Sequence, residues 1–285
     1  MVTGTLVELA IDGLARGLLF ALLGVSITLV FGLGNVLNIA LGVFAVIAVV
    51  ASVELASVVP NVAAGAIGGL VLVGALGLAV DRTLLSSVYR SEGDERIVLG
   101  IFVTLGLAIF LEGLLFVFFP LSYTVPHGVE ALTLGGLRVR GSTLVVLAVA
   151  SSVLVGLSLF LDRTYFGTAT RTVFQDETGA LLCGIDPRRV RTVIFVLSVV
   201  IAGIAGILRG LKSELSPAAA FELTVFAIIV SIVGGVRNVR GTVAAGVLLG
   251  LVTTFGNYLI GAYVSKVILF GVAVAVLVAR PEEIA

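Results

Sequence analysis

Long uncharged runs, broken by short polar intervals, set the pattern of this chain. A crossing helix needs about 20 apolar residues, and by that rule the charge-poor stretches mark about nine candidate spans. They are Ile11–Leu33, Val36–Val59, Val62–Val80, Ile97–Phe119, Thr143–Leu161, Val190–Leu208, Leu223–Val236, Thr242–Ile260 and Val264–Ala279. The seventh is short for a full crossing. The first two are hard to separate, because no charged residue occurs from Gly17 to Val53. The only interruption there is Gly32-Leu33-Gly34-Asn35-Val36-Leu37-Asn38. Glycines and asparagines at that point indicate a very tight turn or a helix broken at membrane depth. Non-helical backbone at such depth is tolerated only against protein or a water-filled cavity. Asn35 and Asn38 are therefore candidates for lining a substrate path. Glu112 is a third, since an ionisable group inside a span is a functional hypothesis by default. Its place near the outer end of its span equally suits a side chain reaching the interface.

The longest polar interval, Asp162 to Arg191, holds five of the seventeen basic residues. Thr170 to Cys183 has no Pro and one Gly. Its apolar positions Val173, Phe174, Ala180, Leu181 and Leu182 fall largely on one helical side, which predicts a single short amphipathic helix. Gly184 is a natural helix stop, and Asp186 with Pro187 forms an N-cap and first-turn pair that starts the next helix. A surface helix of this kind suits docking to a soluble partner or resting on lipid headgroups. Spacing leaves both open.

Composition places the chain among polytopic helical membrane proteins: mean hydropathy is +1.26, with 59% hydrophobic and 12% charged residues. Spans use up nearly all of the 285 residues, so residues 1–285 read as a single transmembrane domain. The 35 glycines permit close helix contact and local breaks. Gly246 and Gly250, one turn apart, are read as such a packing seam. A formal net charge of zero gives no reason to expect nucleic acid. Cys183 is the only cysteine, which excludes an internal disulfide and a cysteine-based metal cluster. The N-terminus lacks a basic n-region and an A-x-A site, so no removable signal peptide is expected.

Charge also orients the chain. With the Asp162–Arg191 loop cytoplasmic, alternation puts eleven of the seventeen basic residues inside, Arg280 among them. Arg16, Arg138, Arg140, Arg209, Lys212 and Lys266 lie outside, as the positive-inside rule favours. The C-terminus is then cytoplasmic. Glu8, Asp12 and Arg16 share a helix face and are read as a solvated, charge-paired turn before the membrane. Glu54 lies near the end of its span, and His127, in the Pro120–Gly141 loop, is read as incidental. The basic turn Val236–Arg240 between Gly234-Gly235 and Gly241 joins two helices.

Enzyme chemistry finds no support: there is no H-E-x-x-H, no cysteine pair and no G-x-x-x-x-G-K-[ST] phosphate loop. No cofactor is expected. If the chain pumps, its energy comes from an ion gradient or another subunit. Ion-driven carriers usually need buried ionisable groups near the midplane. The nearly charge-free spans favour the second source, and the large loop then acquires a purpose.

Taken in order, the residues resemble the membrane permease subunits of branched-chain amino acid ABC importers, of the LivH type. Gly17–Phe31 looks like the family's first helix, and Asn38-Ile39-Ala40 opens its N-F-A-H-G-E motif. Val88-Tyr89-Arg90 with Arg96 is similar to the A-Y-R-P loop. Arg171, Asp176, Ala180, Leu182-Cys183-Gly184-Ile185 and Val190 match the cytoplasmic loop. Ala202–Gly206, Pro217 with Phe221, Gly234-Gly235, Gly241, Gly246 and Arg280-Pro281 follow in the family's order.

The resemblance implies an all-α fold of about 8–10 transmembrane helices with a short cytoplasmic coupling helix. It also implies a role for Arg171, Asp176, Gly179, Ala180, Gly184 and Ile185 in contacting or shaping the seat of an ATPase subunit. The implied assembly has a second permease (a related chain or a copy), two ATP-binding subunits and an extracytoplasmic solute-binding protein in the cell membrane. Leu41 and Val43 stand where the family usually has His and Glu. The G-x-K-A stretch is replaced around Thr224 and Phe226, and Gly-Ser and Pro by Arg237-Asn238 and Arg240. A urea or short-amide permease of the same family is the nearest alternative substrate class, a gradient-driven carrier or channel is the rival mechanism, and a scaffold without transport is the third reading.

Overall fold

Hydrocarbon offers no water to a backbone N–H, so a chain this apolar meets its hydrogen-bonding requirement within helices. The computed structural model describes residues 2–34, 36–59, 61–91, 93–134 and 137–279. The order is α1 (Val2–Gly34), α2 (Leu41–Val58), α3 (Val62–Val80), a π-helical turn (Asp81–Leu85), α4 (Ser86–Val88) and α5 (Gly93–Phe118). A hairpin of β1 (Leu132–Leu134) and β2 (Leu137–Val139) precedes α6 (Gly141–Arg163), α7 (Tyr165–Gln175) and α8 (Glu177–Leu182). Then come α9 (Pro187–Lys212), α10 (Ala219–Gly234), α11 (Val239–Leu259) and α12 (Ala262–Ala279). Among the described residues seven helices are long and apolar enough to cross a membrane, and α10 and α12 are shorter apolar helices. All nine expected spans thus have a helix, and the seventh, α10, is the short one at 16 residues.

Successive long helices alternate direction, which sorts the connections to two ends. The lower end carries the α3–α5, α6–α9 and α10–α11 connections. The upper end carries the hairpin loop, the α9–α10 loop and the start of α1, where Glu8 accepts from the Arg138 backbone N–H (2.6 Å). Tyr123 and Leu215 pair their backbones there, and the Tyr123 hydroxyl donates to Glu54 (3.1 Å). All ion pairs among the described residues lie at one end or the other. The six cations assigned to one side from sequence gather at the upper end. The described remainder lie at the lower, and Arg280 and Pro281 fall outside the described residues.

The centre is α1 and α9, whose apolar windows are 72% and 67% buried, while α5, at 17%, faces outward. Helices approach closely where side chains are smallest. A Cβ on Gly250 would sit 2.2 Å from Gly17 Cα, and one on Gly246 2.5 Å from Ala21 N, so α1 and α11 meet backbone to backbone. The expected Gly246/Gly250 seam is therefore real, and Gly17 completes it. Gly206 meets Ala45 of α2 in the same way, and Gly65 and Gly69 meet Ser52. Deeper polar contacts are hydroxyl pairs: Thr28 bonds Ser231 (2.8 Å) and Thr242 (2.9 Å), joining α1, α10 and α11.

The uncharged run from Gly17 to Val53 resolves into two helices with a non-helical stretch between them. Residues 36–40 climb beside α5 before α2 begins at Leu41. Thr104 donates to the Leu37 carbonyl (2.9 Å) and accepts from the Ile39 N–H (3.1 Å). Thr224 donates to the Ile39 carbonyl (3.0 Å) and accepts from the Gly42 N–H (2.9 Å). Thr104 lies about 16 Å along α5 from its lower end at 1.5 Å per residue. The break is thus buried at depth, with neighbouring threonines answering the freed backbone groups.

Gly250→Val should force backbones apart and lower stability by about 3 kcal/mol or more. Gly156→Val, at a position where a Cβ meets nothing within 4 Å, should leave the melting temperature unchanged. Thermal unfolding of the two purified variants measures the difference.

Candidate functional site

The lower end is shaped by two local stops. Thr164 caps α7, accepting from the Gly167 N–H (3.2 Å), while Gly167 presses on the Leu161 backbone, where a Cβ would come within 2.1 Å. Asp176 then takes an extended conformation (φ −154°, ψ 105°), ending α7 and starting α8. The single helix expected over Thr170–Cys183 is therefore two helices. The reason is a weak helix former placed mid-run, whose short polar side chain favours cap conformations.

The break changes which residues face outward. Val173 and Ala180 are buried with Ala169 and Val190, and Ile185 packs against them. Leu181 and Leu182, expected on the same side, are 57% and 86% exposed, next to exposed Cys183. α8 ends as expected at Gly184, in the left-handed region (φ 77°). The Gly184 N–H donates to the Leu181 carbonyl (3.0 Å) and that of Ile185 to the Ala180 carbonyl (2.9 Å). This pair of bonds, with the Ile185–Ala180 contact, closes the helix. Asp186 accepts from the Arg188 N–H (3.0 Å) and Pro187 opens α9, also as expected.

Two sets of charges tie this segment to different spans. Glu177 pairs with Arg191 of α9 (2.5 Å) and with Arg96 of α5 (3.9 Å). Arg191 is buried and lies 5.1 Å from the centre of the Tyr89 ring. Burial, and then nearby Asp81, raises the Tyr89 phenol well above its ordinary pKa, so it stays neutral. On the other side, Asp162 accepts from Arg240 of α11 (2.9 Å) and lies 3.8 Å from Arg171. Arg237, in the α10–α11 turn, stacks over Phe174 of α7 at 5.2 Å. A cavity of about 370 Å³ lies between these elements and reaches Thr28 and Gly32 of α1.

Arg171, Asp176, Gly179, Ala180, Gly184 and Ile185 thus belong to one folded unit, in different ways. Arg171 donates to the Leu161 carbonyl (2.5 Å). The Asp176 carboxylate lies over Gly179, where a Cβ would come within 2.6 Å of Oδ2. Ala180 and Ile185 form the small core, and Gly184 turns the chain. Sequence reading missed the ties made by Asp162, Phe174, Glu177, Arg191, Arg237 and Arg240. Those partners are brought together by the fold, and only the acid in the first turn of α8 was a local signal.

Asn38 lies in the buried break: its Oδ1 accepts from the Ala40 N–H (3.1 Å), and its Nδ2 has no partner among the described residues. Asn35 lies outside the described residues. Glu112 is half-buried on α5 and lines neither the cavity beside α7 nor the one at the upper end.

The upper end holds the larger cavity, about 550 Å³, between α1, α9, α10, α11 and α12. Asp12, expected in a solvated turn, instead faces this cavity, where it accepts from Lys212 (3.1 Å) and from the Thr143 hydroxyl (2.7 Å). Arg16, from the same helix face, is half-buried in its wall.

Comparison with known proteins bears on the whole chain. The model of a family described as branched-chain amino acid transport system / permease component matches residues 9–277. The high-affinity branched-chain amino acid transport system permease protein BraD of Pseudomonas aeruginosa is 24% identical, over 96% of this chain and 94% of its own length. LivH of Escherichia coli, of the same description, is 23% identical over 96% of this chain and 93% of its own. A probable branched-chain amino acid transport permease, LivH of Methanocaldococcus jannaschii, is 25% identical over 91% and 84%.

Glu177→Gln should cost about 2 kcal/mol by leaving the buried Arg191 guanidinium without its carboxylate. Adding Arg191→Met should recover part of that loss, because the stranded charge is gone. Melting temperatures of the single and double variants check this.

Proposed function

The chain belongs to the family of branched-chain amino acid transport system permease components, and we propose that it forms the alternating-access path for a branched-chain amino acid, driven by separate ATPase subunits. It is a multi-pass membrane transport component, not an enzyme. On this reading residues 1–285 act as one permease domain. The lower end faces the cytoplasm, where most of the basic residues lie, and so does the C-terminus. The assembly contains a second permease, two ATP-binding subunits and an extracytoplasmic solute-binding protein, with lipid around the outer helices.

One observation carries the coupling role: α7 and α8 project an apolar tip, Leu181-Leu182-Cys183, while Glu177 ties α8 to α9, and Arg171 and Phe174 tie α7 to α6 and to the α10–α11 turn. An ATPase subunit seats on that tip, and its movement reaches α9 and α5 through Glu177, and α6 and α11 through Arg171, Asp162 and Arg240. Arg171, Asp176, Gly179, Ala180, Gly184 and Ile185 shape the seat. The broken segment at Asn38 lies beside the substrate path on this reading, supported by a buried amide donor that has no partner among the described residues.

ATP-driven uptake into proteoliposomes tests the function. The assembled complex should accumulate leucine and not urea. Accumulation of urea would move the chain to the amide branch, and uptake that follows an ion gradient without ATP would contradict the proposal. Leu182→Glu should weaken association with the ATPase about tenfold, since one exposed Leu contributes ~1.5–3 kcal/mol when covered, with the melting temperature of the isolated chain unchanged. Asp176→Arg and Gly184→Trp should separate ATP hydrolysis from uptake while leaving membrane insertion intact; unchanged uptake in both would count against the docking role.

A further inference from the structure

The upper cavity carries more positive charge than its own carboxylates neutralise. Five cations line it (Arg16, Arg140, Arg209, Lys212 and Lys266) against three carboxylates, Asp12, Glu214 and Glu222. Lys212 is paired with Asp12 (3.1 Å) and Lys266 with Glu222 (2.8 Å). Arg209 makes no side-chain hydrogen bond or ion pair among the described residues; it is repelled by Arg16 and attracted by Glu222. Arg16 is attracted by Asp12, which is itself paired with Lys212, and its side-chain hydrogen bond goes to an uncharged group. With the Asn257 amide turned so that all its bonds are satisfied, its oxygen accepts from Arg16 Nη1 (2.8 Å) and its nitrogen donates to Ser265 Oγ and the Thr253 carbonyl.

Two mutually repelling guanidiniums, half-buried in one wall, make a site for an anion. Carboxylates suit it, because the planar fork of arginine matches them. Below the charged rim the lining turns apolar. Phe20 and Phe226 pack with ring centres 5.3 Å apart and planes tilted by 37°, beside buried Leu269 and Leu23. Glu222 adds one carboxylate at the rim, half exposed and already near cations. A cation, an anion partner and an apolar floor in a space of about 550 Å³ fit a small amphipathic zwitterion.

We propose that this cavity is a solute-binding site within the permease chain itself, in which Arg16 and Arg209 hold the carboxylate of an aliphatic α-amino acid, Glu222 receives its ammonium group, and Phe20, Phe226 and Leu269 cover its side chain. The inference rests on the transport reading above and deepens it. Selection is then not left wholly to a separate binding protein. The permease also holds the solute, at its upper mouth, before the path opens below. Substituting either arginine removes a charge-assisted bond and leaves the other guanidinium alone, whereas the clamp at the lower end is untouched.

Equilibrium binding of tritiated leucine to the full purified chain, in nanodiscs of phosphatidylcholine and without binding protein, tests the site. The wild-type chain should bind saturably. Arg209→Gln and Arg16→Gln should each weaken binding about tenfold or more, the worth of a charged hydrogen bond, and Arg209→Lys should restore part of it. 4-Methylpentanoate, which keeps the carboxylate, should compete, and 3-methylbutylamine should compete less. Glu222→Gln should reduce affinity for leucine and spare 4-methylpentanoate. The proposal is overturned by absence of saturable leucine binding, by wild-type leucine affinity in both Arg209→Gln and Arg16→Gln, or by failure of 4-methylpentanoate to compete. Displacement of leucine by added phosphatidylglycerol, with no effect of 4-methylpentanoate, would assign the cations to a lipid headgroup instead. ATP-driven leucine uptake by the assembled complex separates two failures. Uptake without binding at this site removes the inference alone, and absence of uptake removes the transport reading with it.

Discussion

Hydrocarbon cannot hydrate a charge, and this constraint arranges the whole molecule. Cations and carboxylates are expelled from the middle of the bundle and collect at its two ends, where they meet partners from distant parts of the chain. Between the ends, contact depends on glycine, alanine and hydroxyl groups, which let α1, α11, α9 and α2 approach at backbone distance. Lipid tails are as apolar as leucine, so hydrophobic burial alone gives little drive for helix association there. Close packing of small residues supplies it.

The two ends consequently do different things. Below, carboxylates act as joints: Glu177 of α8 pairs with Arg191 of α9, and Asp162, near the end of α6, lies between Arg171 of α7 and Arg240 of α11. Above, cations outnumber carboxylates around an open cavity. Rigid, closely packed helices connect these regions. α9 runs from Arg191 in the lower joint to Arg209 in the upper cavity, and α11 runs from Arg240 to Asn257. The helices that carry the lower joints therefore also form the walls above. The break at residues 36–40 sits between, anchored by Thr104 and Thr224, and is the one described place inside the bundle where backbone is not helical at depth.

Much of the fold was legible in the sequence because membrane helices announce themselves by length. The spans, the Gly246/Gly250 seam, the Gly184 stop and the Asp186–Pro187 start all depend on local chemistry. What was not legible depended on tertiary pairing. Leu181 and Leu182 share an apolar periodicity with Val173, but a break at Asp176 rotates them outward. Asp12 and Arg16 looked like a solvated turn because nothing near them in sequence reports that Lys212, Arg209 and Asn257 come to the same cavity wall. Likewise, the glycines and asparagines before α2 fit a turn or a deep break equally, and only the threonines of α5 and α10 decide between them.

The central claim is that the lower joints transmit movement to the upper cavity. Spin labels at Leu6→Cys and Tyr263→Cys, in a Cys183→Ser background, flank that cavity in the assembled transporter. Their separation, measured by pulsed electron resonance, should shift on trapping the ATP-bound state, and the shift should vanish when Glu177→Ala, Asp162→Ala and Phe174→Ala together remove both joints and the Arg237–Phe174 contact. A separation that does not respond to nucleotide, or a response that survives all three substitutions, would contradict the account.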